Sequence, residues 1–202
     1  MAVAGAPITT TLLLEQLRDE SNQAAWRTFD ERFRDVLFGV ARSMGLGEAD
    51  AADVAQETLF QSVRDYRAGK YDRSRGRLSS WIISIAHHRI ADLLRRRGRD
   101  KVAAGDTTMR ELPAVETVAS AWEAALRDSL FRRAWESLLC EQRFSAGNTR
   151  AFELVVIRGV PPETAAEECG ISVDQVYVAK SRISSRLREI VSALSAAYED
   201  GL

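Results

Sequence analysis

The chain has 202 residues, of which 46% are hydrophobic and 28% are charged, and its formal net charge is −1. These values are ordinary for a soluble globular protein and leave room for one large domain or two small ones. The N-terminal segment has no basic residue before Arg18, and its apolar run at residues 12–14 is too short for a signal peptide or a membrane span. We therefore expect a cytoplasmic protein that does not act at a membrane.

Residue usage predicts a helical protein. The chain has only four prolines and is rich in Ala, Leu, Arg and Glu, which favour helix. No segment alternates apolar and polar residues over more than a few positions, as a half-buried strand would. The sequence therefore predicts an all-α fold, made of two small helical domains that a linker joins.

The N-terminal half predicts four helices. A short helix near residues 12–18 precedes an amphipathic helix that runs from Trp26 to Met44 and ends at the glycines of 45–47. A third helix is expected over about 48–66 and a fourth over about 78–97. The polar, glycine-bearing segment 67–77 between them predicts a loop.

A linker and a second set of helices follow. Residues 98–120 lack a clean period and contain Gly98, Gly105 and Pro113, so they predict a linker. Helices are expected near 122–141 and 149–157, followed by a helix-turn-helix at 164–188. The predicted domains are therefore residues 1–97, the linker 98–120 and residues 121–202.

The helix-turn-helix is the most informative pattern in the chain. Ala165 and Ala166 are small where two helices must approach closely, Gly170 suits the left-handed residue that ends a helix, and Ser172 is a good N-cap. An apolar stripe at spacings of three and four then predicts the buried side of the second helix: Val176, Ala179, Ile183, Leu187, Ile190 and Leu194. The opposite side is left to contact duplex DNA, although an ordinary helical hairpin has a similar pattern.

Charge is distributed unevenly along the chain. Residues 15–57 contain ten acidic and five basic side chains, whereas residues 64–101 contain twelve basic and four acidic ones. A basic block that is punctuated by Tyr66, Tyr71 and Trp81 suits a nucleic acid better than a merely solvated surface. The acidic block would repel a nucleic acid and suits a basic protein partner.

Nothing in the sequence predicts an enzyme. His87 and His88 are adjacent, so on a helix they point about 100° apart and cannot chelate one metal ion together. Cys140 and Cys169 have neither CxxC spacing nor a nearby histidine, which predicts thiols of the core. We therefore expect no catalytic residue, metal, cofactor or small-molecule substrate.

Three segments, in order, resemble bacterial sigma factors of the small, two-domain, extracytoplasmic-function (ECF) branch. DVAQETLF at 53–60 resembles the helix that docks on the clamp of core RNA polymerase. The run at 71–97 resembles the loop and helix that bind the promoter's minus-ten element. GISVDQVYVAKSRISSRLREI at 170–190 resembles the reader of the minus-thirty-five element. The resemblance covers about residues 12–194 and implies a protein that directs promoter recognition, promoter opening and transcription initiation.

The resemblance also implies which residues act. The residues implied for polymerase binding are Asp53, Gln56, Glu57 and Phe60, of which the first three share a helix face. Those implied for minus-ten DNA are Lys70, Tyr71, Arg73, Arg75, Arg77, Trp81, His88, Arg95 and Arg96. Those implied for minus-thirty-five DNA are Gln175, Tyr177, Val178, Ser181, Arg182 and Arg186. Taken alone, Trp81 fits core packing at least as well as DNA contact.

The sequence departs from the family pattern at three of these positions. His88 stands where the family often has Asn. Tyr177 and Val178 replace a more usual basic residue and serine, and their apolar surface suits a thymine methyl group. The promoter sequence therefore cannot be transferred from other family members.

The resemblance implies core RNA polymerase and promoter DNA, both duplex and locally melted, as partners, and an anti-sigma factor as a regulator. Two other classes of protein share part of this pattern. A helix-turn-helix repressor or activator would bind duplex DNA alone and would not need residues 53–60 and 70–77. A small helical enzyme that uses His87 or His88 has no phosphate loop, metal set or triad in support.

Overall fold

The computed structural model describes residues 10–103, 112–196 and 198. Within these ranges the chain is helical and contains no β-strand, which confirms the predicted all-α fold. The helices are α1 (Thr10–Leu17), α2 (Gln23–Ser43), α3 (Glu48–Arg67), α4 (Leu78–Ala103), α5 (Val115–Cys140), α6 (Ala146–Phe152), α7 (Pro162–Cys169) and α8 (Val173–Ser195). A 3-10 turn at Arg73–Arg75 lies between α3 and α4, and a π-helical turn at Glu153–Ile157 follows α6.

The chain divides into two compact units. The N-terminal unit contains the described residues up to Ser129 together with Tyr198, and the C-terminal unit runs from Leu130 to Ala196. The division therefore falls inside α5. The functional domains predicted at 1–97, 98–120 and 121–202 remain a prediction.

The N-terminal unit is built on α2, which buries one apolar stripe. The side chain of Asn22 starts this helix by accepting a hydrogen bond from the Ala25 amide (3.0 Å). Phe29, Phe33, Leu37 and Val40 then recur at helical spacing, and each is less than 4% exposed. Buried residues of α1, α3, α4 and the start of α5 complete the core around this stripe.

The ends of α4 and α5 differ from the predicted ends. Helix α4 continues past Gly98 to Ala103, since a single helical glycine costs only about 1 kcal/mol and flanking residues favour helix. Helix α5 starts at Val115 rather than near residue 122, because Val118 and Trp122 lie one turn apart and are both buried in the N-terminal core. The centre of the predicted linker, residues 104–111, lies outside the described residues.

The C-terminal unit contains the predicted pair of helices with a tight turn. Ala165 and Ala166 are buried on α7, and Gly170 ends that helix with φ 64° and ψ 35°, a left-handed conformation. Ser172 caps α8 in a reciprocal capping box with Gln175. The predicted apolar stripe is confirmed, with Val176, Ala179, Ile183, Leu187 and Ile190 buried and Leu194 packed against the same core.

One core prediction was wrong. Cys140 ends α5 and is exposed, because the buried stripe of that helix ends at Leu138; Cys169 is half-buried. In the part of the chain that the structure describes, His, Cys, Asp and Glu form no group of three that could hold a metal ion. The described helices also include none with the length and apolar character needed to cross a membrane.

Candidate polymerase and DNA interfaces

One side of α3 is buried and the opposite side is exposed and acidic. Val54 and Val63 are each about 5% exposed or less and hold the helix on the core. The four residues predicted to bind polymerase, Asp53, Gln56, Glu57 and Phe60, are all exposed. Their spacing of i, i+3, i+4 and i+7 brings them to one face, so the structure joins all four into a single surface.

An exposed aromatic pair extends this surface from α3 to α2. The ring of Phe60 is 53% exposed and stacks on Trp26, with 4.9 Å between centroids and 8° between planes. Trp26, which the sequence marked only as the start of an amphipathic helix, is half-buried and lines a groove of about 680 Å³ with Phe60, Arg64 and Arg67. Only knowledge of how α2 packs on α3 could have revealed this pair.

The acidic face is tied to the basic helix beside it. Arg89 of α4 lies 3.2 Å from a carboxylate oxygen of Glu57 and donates to the side-chain oxygen of Gln61 (3.1 Å). Arg97 of α4 pairs with Asp50 at the start of α3. These contacts join α3 to α4, and Glu57 is the one of the four predicted residues that takes part in them.

The loop between α3 and α4 has a defined conformation. Asp72 accepts hydrogen bonds from the Ser74 amide (2.9 Å) and hydroxyl (2.7 Å), which hold the pKa of its carboxyl below the usual range. Gly76 then adopts φ 153°, a backbone conformation that side chains with a Cβ rarely allow. The loop therefore turns sharply between the short 3-10 turn and α4.

The cations of this loop are held to different degrees. Lys70 pairs with Asp65 (2.7 Å), and Arg73 donates to the hydroxyl of Thr11 on α1 (2.9 Å). Partial burial raises the pKa of Asp65, but hydrogen bonds from Lys70 and Gln61 more than offset that effect, and the pKa lies below its usual value. The side chains of Arg75 and Arg77 are exposed, and neither forms an ion pair within the described ranges.

A row of aromatic rings runs beneath this loop. Tyr71 lies 5.1 Å from Trp81 and 6.3 Å from Tyr66, measured between centroids, and its hydroxyl donates to the carbonyl of Gly76 (3.2 Å). Trp81 is half-buried against the core, which supports the core-packing role and leaves part of its ring accessible. With Lys70, Arg75 and Arg77, Tyr71 and Trp81 line a cavity of about 350 Å³.

The basic end of α4 continues the surface. His88 is exposed, and its Nδ1 donates to the carbonyl of Ser84 (2.6 Å), so Nε2 is left as the outward group. Arg95 pairs with Asp92 on its own helix (2.8 Å), and Arg96 is exposed without a hydrogen bond in the described chain. Ala91, three residues after His88 on the same helix, is buried at 2% exposure.

The outer face of α8 presents the predicted base-reading residues together. Tyr177 and Val178 are 52% and 49% exposed, and Ser181 and Arg182 are exposed one turn further on. The side-chain oxygen of Gln175 accepts from the Ser172 amide (2.9 Å), so its amide group alone remains to donate outward.

Arg186 has a different environment from the other predicted DNA contacts. It donates to both carboxylate oxygens of Glu141 at the end of α5 (2.6 and 2.9 Å) and to Glu189 (2.7 Å). The bond from Arg186 lowers the pKa of Glu141, and the two carboxylates raise the pKa of Arg186. Two acidic partners therefore neutralise a cation that the resemblance implied for minus-thirty-five DNA.

Comparison with known proteins agrees with this arrangement. Residues 29–100 match the family model described as sigma-70 region 2. This part of the chain belongs to the sigma-70 family. Region 2 here includes the exposed α3 face, the loop with its aromatic row and most of α4, whereas α5 to α8 lie outside the match.

A related protein supports the same family. The ECF RNA polymerase sigma factor SigE of Mycolicibacterium smegmatis is 26% identical to this chain over 109 residues. The aligned residues make up 52% of this chain and 40% of that protein, so the match spans less than half of the relative. The sigma-factor resemblance predicted from three sequence segments is thereby confirmed at the level of the family.

Proposed function

We propose that this chain is an RNA polymerase sigma factor of the extracytoplasmic-function type. It binds core RNA polymerase in the cytoplasm, recognises and opens particular promoters, and so directs transcription initiation. The single observation that carries the proposal is the combination, inside region 2, of an exposed acidic helix face with a cationic loop over aromatic rings. A family of initiation factors is not a family of enzymes, and the chain itself needs no catalytic group.

The α3 face is the proposed docking site for core polymerase. Asp53, Gln56 and Glu57 supply acceptor groups, and Phe60 on Trp26 adds an apolar anchor next to them. An interface with a central aromatic anchor and charged surroundings suits a basic helical partner. The ion pair between Glu57 and Arg89 would be exchanged for a pair across the interface.

The loop and α4 form the proposed minus-ten surface. Opening a duplex leaves unpaired bases that aromatic rings can stack on and phosphates that cations can pair with. Tyr71 and Trp81 offer the rings, and Lys70, Arg75 and Arg77 offer the cations around the same cavity. Arg73, His88, Arg95 and Arg96 extend this surface along the loop and α4.

The α8 face is the proposed reader of the minus-thirty-five element in duplex form. Arg182 is suited to a guanine edge in the major groove, and Tyr177 and Val178 are suited to thymine methyl groups. Ser181 and the amide of Gln175 supply further donors. Because so few of these groups are charged, we propose a promoter preference based on apolar base contacts rather than on arginine alone.

Regulation by an anti-sigma factor belongs to the same proposal. Such a protein would compete with core polymerase or DNA for these exposed surfaces. A repressor remains the alternative class, because α7 and α8 alone would also bind duplex DNA. It would have no use for the α3 face or for the Tyr71 loop.

A transcription assay with purified core polymerase separates the two classes. With genomic DNA fragments as template, we expect new transcript starts only when both this chain and core polymerase are present. A chain that binds duplex fragments by itself and yields no new starts with core polymerase would be a repressor or activator instead.

A charge reversal tests the docking face. We expect Asp53→Lys with Glu57→Lys to abolish co-elution with core polymerase, while the free energy of unfolding changes by less than ~0.5 kcal/mol because both sites are exposed. The matched control is Glu123→Lys with Asp128→Lys, which makes the same charge change at exposed positions of the same unit. Co-elution of the α3 variant at the level of this control would reject the docking face.

A further inference from the structure

Tyr71 borders a second cavity besides the one that the loop lines. This cavity has a volume of about 210 Å³ and lies between α1, the end of α3 and the loop. Its wall contains Tyr66, Tyr71 and Arg73 together with Thr11, Glu15 and Arg18 of α1. Residues of α1 belong to none of the surfaces described above, and the cavity has no assigned role.

The α1 wall of the cavity is held firmly. Leu13 and Leu17 are at most 1% exposed in the N-terminal core. Arg67 of α3 donates to the carbonyl of Leu17 (2.8 Å), which satisfies a backbone group at the helix end. The bond from Arg73 to Thr11 joins the loop to the same helix. The cavity is therefore a formed feature of the fold.

The chemistry of the wall suits a planar, uncharged ring with polar edges. The guanidinium of Arg18 lies 5.9 Å from the ring centroid of Tyr66 and donates to its hydroxyl (3.3 Å). An arginine plane beside an aromatic ring is a surface on which unpaired bases stack. Glu15 can accept a hydrogen bond from an exocyclic amino group, as acidic residues do from cytosine.

Other ligand classes fit this wall less well. A free phosphate could pair with the two arginines, but it would lie beside the Glu15 carboxylate and would leave the aromatic rings of the wall uncovered. A small cation would be repelled by Arg18 and Arg73. The volume corresponds to about seven water molecules, which is room for one ring rather than an extended ligand.

We propose that this cavity binds one unpaired base of the strand that the loop cavity also holds, so that Tyr71 separates two consecutive single-stranded sites. Arg18 and Tyr66 stack on the base, Glu15 binds its amino edge, and Arg73 contacts the adjoining phosphate. The inference rests on the proposed function, because it is the opened promoter that presents such a strand. It assigns α1 a role in holding melted DNA.

The test uses holoenzyme, assembled from the full chain and core polymerase, on a promoter whose minus-ten region is already unpaired. Each base of the non-template strand is replaced in turn by an abasic site, and the affinity is measured. For the parent chain we expect two neighbouring positions at which base removal weakens binding about 5-fold or more. For Arg18→Ala we expect base removal to have no effect at one of these two positions and still to weaken binding at the other.

Two further arginine variants sharpen this test. Arg18→Lys keeps the charge and loses the plane, so it should lose the same base sensitivity as Arg18→Ala. Arg27→Ala removes an exposed arginine of the same unit that lines neither cavity, and it should keep both sensitive positions. The proposal would be overturned if base removal still weakened binding at both positions in Arg18→Ala. It would also be overturned if the parent chain showed only one such position.

A milder variant covers the case in which Arg18 substitutions reduce the melting temperature. Glu15→Gln is expected to alter which base is preferred at the second position, because the amide offers a donor as well as an acceptor. An unchanged base preference would count against the site. Failure of the parent chain to bind core polymerase or start transcription would contradict the proposed function itself, so the two failures are distinguishable.

Discussion

The Tyr71 loop and the outer face of α8 are both proposed to bind DNA, yet they are built differently. The loop places cations around a row of aromatic rings, and two of its arginines, Arg75 and Arg77, form no ion pair in the described chain. On α8, Arg186 is occupied by Glu141 and Glu189, and two large hydrophobic side chains, Tyr177 and Val178, are exposed.

This difference follows from the state of the DNA that each surface would meet. An unpaired strand exposes base faces and flexible phosphates, which rings and mobile cations can hold. An intact duplex exposes base edges at the floor of a groove, which a rigid helix reads with few side chains. Charge is therefore useful around the loop, whereas shape and position matter more on α8.

The largest effect is expected from removing the loop's stacking and charge together. Replacing Tyr71, Arg73, Arg75 and Arg77 with alanine should leave polymerase binding intact and reduce opening of a duplex promoter by about 10-fold to 100-fold or more, since captured bases return about 1–3 kcal/mol each. A promoter with a pre-melted minus-ten region should recover part of the loss, because the cost of unpairing is removed. If the variant opened duplex promoters as well as the parent does, the loop would not be the melting element, and Trp81 and His88 would be the next candidates.

On α8, Arg182→Ala is expected to cost about 1–3 kcal/mol at particular base pairs of the minus-thirty-five element and to relax specificity there. Lys180→Ala, on an exposed neighbouring position, should instead weaken binding similarly on all sequences and lower the salt slope by about one unit. Titration at several salt concentrations on promoters altered one base at a time separates the two. Indistinguishable profiles would remove the base-reading role from Arg182.

A smaller effect is expected from Arg186→Ala. It should lower the free energy of unfolding by about 1 kcal/mol, because the variant leaves two carboxylates without their partner. The pKa of Glu141 in the folded protein lies below its ordinary value of 4.5, so this stabilisation is present above about pH 4.5 and is lost as the pH falls through the folded pKa. The free energies of unfolding of parent and variant, measured with denaturant, should therefore become equal as the pH is lowered.

The control for this measurement is Arg188→Ala, whose side chain, among the described residues, donates to the carbonyl of Ser184 and pairs with no carboxylate. It should show no convergence with pH. A large fall in the salt slope of DNA binding by Arg186→Ala, with no change in stability, would instead assign Arg186 to the minus-thirty-five DNA contact that the resemblance implied.

The smallest effects come from two glycines of the C-terminal unit. Gly170→Ala should destabilise the unit by about 1 kcal/mol, because its φ of 64° is unfavourable for a residue with a Cβ. Gly147→Ala should stabilise it by about 0.5 kcal/mol, since the added Cβ would lie 3.8 Å from its nearest neighbours within a helix. Thermal unfolding of both variants measures these two changes. A change in stability of the same sign for both variants would contradict the turn assigned to Gly170.

Much of the fold could be predicted because its signals are local. The stripe of α8, the cap at Ser172 and the turn at Gly170 depend on neighbours within a few residues, and all three are confirmed. The extension of α5 back to Val115 was missed, because the reason for it is burial of Trp122 among residues about ninety positions earlier, such as Phe33 (6.0 Å between ring centroids).

The site could be predicted only where its residues are grouped by local sequence spacing. Residues that share one helix face, such as Asp53 and Glu57, could be grouped from spacing alone. Pairings between distant segments could not be, and these include Trp26 with Phe60, Thr11 with Arg73, and Glu141 with Arg186. Such contacts depend on how helices pack, which the local sequence pattern does not specify.

The most direct test of the account is the reactivity of promoter thymines toward permanganate, which attacks unpaired bases. With core polymerase and the parent chain, we predict reactive thymines in the minus-ten region of a duplex promoter; with core polymerase and the loop variant, we predict them only when that region is already unpaired. Thymines that remain unreactive with the parent chain, on a promoter that it binds together with core polymerase, would contradict the claim that this protein opens promoters.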